Sequence, residues 1–260
     1  MYDAFGTDSF DALYKKYEKD SSINKKTIPA QNLFSDLLKE RAETGRIYIM
    51  NLDHCNTHSS FKDKVSMSNL CQEITLPTTP INAIDDSQGE IALCILSAIN
   101  VGQLNNLEDL ENLCELAVRA LEEIIEYQDY PVKAAEVSTK SRRSLGIGYI
   151  GLAHYLAKQG FKYSEKGAWD SVDRLTEAFQ FYLLKASNKL AQERGACEGF
   201  KQTKYADGLL PIDHYKKEVD EIVPHKQRMA WEALRKDITK HGLRHSTLSA
   251  QMPSESSSVV

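Results

Sequence analysis

The segment Ser68-Asn69-Leu70-Cys71-Gln72-Glu73 sets an amide, a thiol and a carboxylate at positions i, i+2 and i+4. In an extended backbone successive side chains alternate faces, so Asn69, Cys71 and Glu73 would share one. On a helix the same spacing scatters them around the axis. Thr75, Pro77, Thr78, Thr79 and Pro80 follow, and these favour extended or loop backbone. The spacing therefore predicts a hydrogen-bonding group, a sulfur and a base presented together, which is what a reaction centre needs. A lone Cys among apolar neighbours is more often a small buried hydrophobe. The triplet has to be weighed with its surroundings.

The elements that must position it read as follows. Ser9–Asp20 predicts a short helix. Residues 27–44 predict a second, with Leu33, Phe34, Leu37 and Leu38 on one face and Gly45 as its stop. Arg46–Leu52 is rich in strand formers. Residues 53–89 carry turn residues and little helical period, and loops of that length in a compact domain are functional or disordered. Glu90–Ala98 is a continuous apolar run of the kind a buried parallel strand requires. Leu107, Leu110, Leu113, Ala117, Leu121, Ile124 and Ile125 make one helical stripe, ended by Pro131. The acidic face over 108–126 is expected to be solvated. Further helices are expected at about 141–159, 167–194 and 228–240, and Thr247–Met252 alternates as a strand does. Helices interleaved with apolar strands imply a helix-rich α/β architecture. No internal repeat is visible, and the only low-complexity stretch is the serine-rich end.

Bulk properties narrow the function. A hydrophobic content of 42% suffices for a core, and 260 residues make one large domain or two small ones. The net charge is −5, with no basic stripe, so nucleic-acid binding is not indicated. No apolar run reaches bilayer length and no signal peptide is visible, so no membrane association is expected. Five cysteines, an odd number without a CxxC pair, suit a reducing, cytoplasmic setting.

Several motifs stand around the triplet in order. Asn51-Leu-Asp-His-Cys-Asn-Thr-His58 precedes it, and Ile74-Thr-Leu-Pro77 completes it. Gly89-Glu-Ile-Ala-Leu-Cys94-Ile-Leu-Ser-Ala98 follows. Tyr2-Asp-Ala-Phe5, Lys16-Tyr-Glu-Lys-Asp20, Arg46-Ile-Tyr-Ile49, Arg142-Arg-Ser-Leu-Gly-Ile-Gly148, Tyr182-Leu-Leu-Lys-Ala-Ser187, Gly242-Leu-Arg244 and Ser246-Thr-Leu-Ser-Ala250 extend the pattern. Met252-Pro-Ser-Glu-Ser-Ser-Ser258 closes it. Taken together these closely resemble the large, catalytic subunit of class I ribonucleoside-diphosphate reductase. The resemblance covers essentially the whole chain, whereas family members are far longer. The chain thus resembles a central piece of the catalytic domain, beginning after the regulatory regions and stopping just after a substrate loop.

The resemblance implies a partial ten-stranded α/β barrel over 1–260, with a finger loop at about 53–77, a phosphate-binding loop at 253–257 and no regulatory cone domain. It implies that Cys71 becomes a thiyl radical and takes the substrate's 3′ hydrogen. Glu73 would be the base toward the 3′-OH, which needs hydrogen-bond reach. Asn69 would hold the ribose hydroxyls. Cys94, at 94 − 71 = 23 residues beyond Cys71, matches one of the two cysteines that close to a disulfide as electrons are supplied. Its partner matches no cysteine here, and Cys55, Cys114 and Cys197 read as structural. Pro253, Ser254, Glu255, Ser256 and Ser257 would hold the substrate diphosphate through hydroxyls and the amides of a helix start. Ser256 stands where the family often has Thr, and a hydroxyl is retained. A serine-rich end is otherwise commonly disordered, and only three residues follow Ser257. The implied partners are the complementary segments of the large subunit, a radical-generating, metal-containing small subunit and a ribonucleoside diphosphate. Thioredoxin or glutaredoxin would be the reductant, and no cofactor binds in this chain.

Two other signals are set aside. Gly146-Ile-Gly-Tyr-Ile-Gly151 matches G-x-G-x-x-G, but the polar run Lys133–Arg143 before it is not strand-like, as a dinucleotide fingerprint requires. Its glycines are expected to serve close helix packing. The spacing of His54, Cys55 and His58 fits no common zinc pattern, so no metal site is expected. Three readings remain: a component of a split reductase, inactive by itself; a truncated, non-catalytic remnant; and a helical binding module with core cysteines. Asn69, Cys71, Glu73, Cys94 and the serine loop together speak against the third, and less strongly against the second.

Overall fold

The computed structural model describes residues 1, 4, 5, 7–93, 95–223 and 226–257. They divide into two compact units, Met1–Thr57 and His58–Val260.

The first unit is helical. α1 spans Ser9–Lys19. Lys25 folds back on its end, its Nζ donating to the carbonyls of Glu18 at 2.6 Å and Asp20 at 2.5 Å. A lysine thereby satisfies carbonyls that a helix end leaves unpaired. α2 spans Ala30–Thr44, enters from Pro29 and stops at Gly45, whose φ of +66° suits a residue without a Cβ. Its expected apolar face is solvent-facing: Leu33, Phe34 and Leu38 are all exposed. α3 spans Leu52–His58, a helix inside the segment expected to lack one. The strand expected over Arg46–Leu52 does not form; 46–51 is irregular, with Ile47 O accepting from Arg41 Nη1 at 2.7 Å. A strand needs a ladder partner, and among the described residues this segment has none.

The second unit is built on two parallel strands. β1 (Ile95–Asn100) pairs with β2 (Leu145–Ile150) from Ile95↔Leu145 to Asn100↔Ile150. The crossover carries α4 (Asp109–Tyr127) and α5 (Lys133–Arg142). After β2 come α6 (Leu152–Lys158), the long α7 (Lys166–Arg194) and α8 (Trp231–His241). The core joins α4 to α7 and α8 through Leu110, Val118, Ile125, Leu175, Leu183 and Ile238, all fully buried. Cys114 and Cys197 are core residues, and burial pushes both thiols up to about 12, beyond ready ionisation.

The single helix expected over 141–159 is instead the end of α5, a strand and α6. Arg143 explains the break: its φ of +48° is left-handed, so the chain leaves α5 and turns into β2. The glycines serve that strand and its turn, not helix–helix packing. A Cβ on Gly148 would lie 2.5 Å from Ala250 O, and one on Gly151, at φ +76°, 2.4 Å from Asn100 Oδ1. Removing the side chain at 148 lets the segment after α8 lie against β2. Leu145 N donates to Thr247 O (3.0 Å), Ile147 N to Leu248 O (2.8 Å) and Ala250 N to Ile147 O (3.2 Å). The extended run expected at Thr247–Met252 thus makes a short parallel pairing, centred on Ile147↔Ser249.

Candidate active site

The segment carrying the triplet is fastened at both ends. At its start Phe61 bridges Thr203, Lys62 N donates to Gln202 O (2.8 Å) and Lys204 N to Ser60 O (2.7 Å). At its far end Thr79 and Glu90 exchange both backbone hydrogen bonds, at 3.1 and 3.0 Å. Between these ties Phe61, Ile74 and Leu76 form a small buried cluster, with Ala92 and Ala250 packed against it.

The triplet rises from this cluster on a turn, so the extended backbone expected there is not found. Asn69 O accepts from Gln72 N at 3.1 Å, and Gln72 itself adopts φ +59°. Asn69 Oδ1 accepts from Ile74 N at 3.2 Å, while Ser68 Oγ donates to Ile74 O at 2.6 Å. Short polar side chains offer the backbone an alternative to a ladder, and Ser68 and Asn69 take both polar groups of Ile74 this way. Leu70 and Cys71 are left at the tip. Cys71 is a free, exposed thiol, and Asn69 is exposed beside it. Glu73 is half-buried. Its Oε2 is shielded from solvent and has no hydrogen-bond partner among the described residues. A shielded carboxylate oxygen without a donor is costly in a resting fold and is suited to receive one from a ligand. Cys94 lies outside the described residues.

The serine loop follows the run against β2. Gln251 continues that pairing with its side chain: Oε1 accepts from Tyr149 N at 3.1 Å and Nε2 donates to Tyr149 O at 2.9 Å. Met252 is buried beneath. Pro253, Glu255 and Ser256 are exposed, with Ser254 and Ser257 half-buried around a turn. The triplet and the serine loop are linked through Ala250, which packs on the Phe61–Ile74–Leu76 cluster just before the loop. His54 and Cys55, in the first unit, lie on α3.

The sequence reading missed a buried ionic hub. Glu122 of α4, expected on a solvated face, is fully buried. Its carboxylate takes Arg143 through Nε and Nη2 (2.9 and 2.7 Å), Arg244 Nε (2.7 Å) and His245 Nε2 (3.1 Å). Burial alone would raise the Glu122 carboxyl, but hydrogen bonds from His245, Arg143 and Arg244 outweigh it and hold the group well below the usual carboxylate range. Burial pushes His245 below the ordinary histidine value despite the pull of Glu122, which keeps the ring neutral. A neutral ring donating from Nε2 accepts at Nδ1, where Ser187 Oγ stands at 2.9 Å. The signal was present in the spacing: Glu122 follows Leu110, Cys114 and Val118 at helical intervals on the buried stripe.

The family model described as ribonucleotide reductase, barrel domain, matches residues 1–260. The chain belongs to this family. It is 56% identical to the ribonucleoside-diphosphate reductase subunit alpha of Haemophilus influenzae, covering 100% of this chain and 35% of that protein. Identity is also 56%, with the same coverage, to the ribonucleoside-diphosphate reductase 1 subunit alpha of Escherichia coli. To the subunit alpha of Enterobacteria phage T4 it is 43%, over 97% of this chain and 33% of the relative. The chain therefore spans about a third of the length of the curated relatives it matches.

Proposed function

We propose that this chain supplies the radical-bearing part of a ribonucleoside-diphosphate reductase, an oxidoreductase that makes deoxyribonucleoside diphosphates. The observation carrying the proposal is the exposed Cys71 thiol on its Asn69-fastened turn, two residues before a shielded Glu73 oxygen that has no partner among the described residues, in a chain matched from 1 to 260 by the reductase barrel family.

Hydroxide leaves poorly from an unactivated carbon, and a radical at the adjacent C3′ makes loss of the 2′ oxygen feasible. Cys71 as a thiyl takes the 3′ hydrogen, since S–H and activated C–H bonds are similar in strength. Glu73 accepts the 3′-OH proton, within hydrogen-bond reach. The 2′ oxygen leaves as water, and two electrons are supplied as Cys94 and a partner cysteine from another segment close to a disulfide. Ser254, Ser256 and Ser257, with the amides near Pro253 and Glu255, hold the diphosphate. The radical reaches Cys71 from a metal-containing small subunit, and thioredoxin or glutaredoxin restores the dithiol.

In this reading 1–260 forms part of a ten-stranded barrel, with the finger loop over about 53–77. The outer side of β1 supports assembly with further segments. Among the described residues β1 pairs only with β2, and Leu96 of β1 with Leu113 and Leu116 of α4 are exposed beside it. Such an open apolar edge is suited to pairing, so the chain is expected to be inactive and prone to self-association on its own. The test is reconstitution with polypeptides covering the remainder of a large subunit, the small subunit, a dithiol and a ribonucleoside diphosphate. Deoxy product is expected. Folded, associated pieces that make none would favour a non-catalytic remnant.

A further inference from the structure

We propose that Arg142 is a positioning residue that locks the Cys71 loop to the extended run leading into the serine loop; this rests on reading 68–73 as the reactive segment. Arg142 ends α5, just before the left-handed Arg143. Its side chain is only 10% exposed and reaches both ends of the loop. Nε and Nη2 donate to the two Glu90 oxygens at 2.7 and 3.2 Å, a two-point grip on the residue whose backbone pairs with Thr79. Nη1 lies 2.8 Å from Asp63 Oδ2, at the loop's start. Both atoms are buried and, among the described residues, neither has another partner, so the contact is a buried ion pair.

Its backbone faces the other part of the site. Arg142 O accepts from Ser246 N at 3.0 Å, at the head of the run that pairs with β2 and ends in the serine loop. Ser60 Oγ donates to Ser246 O at 3.1 Å, tying the loop's start to the same residue. Ala134 O, at the other end of α5, accepts from Ile91 N at 3.2 Å. One arginine thus joins residue 63, residue 90 and residue 246. The planar, bidentate guanidinium is what allows this, and the single point charge of a lysine could hold one carboxylate but not both in the same geometry.

Amide exchange on the full chain, read by mass spectrometry, tests the lock. Arg142→Met is expected to speed exchange over 61–92 about tenfold, with α7 unchanged, because local opening is released without global unfolding. Arg142→Lys should lie between. Unchanged rates over 61–92, or an equal rise in α7, would overturn the proposal. If Arg142→Met does not fold, Asp63→Asn and Glu90→Gln read the two grips singly, each with a smaller rise confined to 61–92. In the reconstituted enzyme Arg142→Lys should lower kcat and leave KM for the ribonucleoside diphosphate nearly unchanged; a raised KM with kcat intact would overturn positioning. The exchange result stands even if the wild-type assembly makes no product, which would count against the reductase reading alone.

Discussion

Asn69 accepts the backbone amide of Ile74 on its side-chain Oδ1, at 3.2 Å, and so ties the exposed tip carrying Cys71 to a residue buried in the Phe61 cluster. The residue assigned to the ribose hydroxyls is thus already committed, on one atom, to holding the thiol's turn. Asn69→Asp keeps the acceptor and is expected to keep the Ile74 amide protected. Asn69→Ala removes it, at a cost of about 1 kcal/mol. Exchange at the Ile74 amide, with urea unfolding of each variant, checks both outcomes. Equal protection in both variants would remove the clamp.

Glu122 is the shared counter-charge of Arg143 and Arg244, so its loss leaves Arg143 with Glu126 alone and Arg244 with no carboxylate among the described residues. Glu122→Gln is expected to destabilise the chain by about 3–5 kcal/mol, the range for breaking a buried pair by removing one partner. Urea midpoints measure this. A cost below about 1 kcal/mol would mean the hub behaves like an exposed pair.

The neutral, buried His245 makes stability depend on pH in a defined sense. Its folded pKa lies below the ordinary value of 6.5, so the unfolded chain binds the proton more readily. Stability from this group is present above the unfolded value and is lost as pH falls through it toward the folded one. His214 is shifted in the same direction, chiefly by burial, and adds to the slope. The unfolding free energy is expected to fall between about pH 7 and pH 5, with a shallower fall in His245→Asn. An identical slope in that variant would show that His245 is not the source.

How far the sequence could be read depended on whether the deciding interactions were local. α1, α2, α4, α7 and α8 stood out because a helical stripe, or a stop such as Gly45, lies within the segment itself. The stripe of α4 was read in part: Leu110, Leu121 and Ile125 are buried in the core and Leu107 and Ala117 pack on it, but Leu113 and Ile124 are exposed, while Cys114 and Val118, outside the expected stripe, are buried. The 141–159 region failed because Arg143 reverses the chain for partners far away, Glu122 and Glu126. β2 was hidden by glycines that are there for the approach of Ala250. At the site, the chemical identity of Asn69, Cys71 and Glu73 was legible. Their backbone was not, since side-chain bonds from Ser68 and Asn69 to Ile74 replace the extended run. Arg142 was visible in its motif, but its role depends on Asp63, Glu90 and Ser246, none of them near in sequence.

The measurement that bears most directly on the central claim is deoxyribonucleotide formation by the reconstituted assembly with wild-type chain and with Cys71→Ala side by side. Product is expected with wild type and none with the variant, while both chains fold and associate alike. Product that persists in Cys71→Ala would remove Cys71 from the chemistry, and with it the assignment of this loop as the radical site.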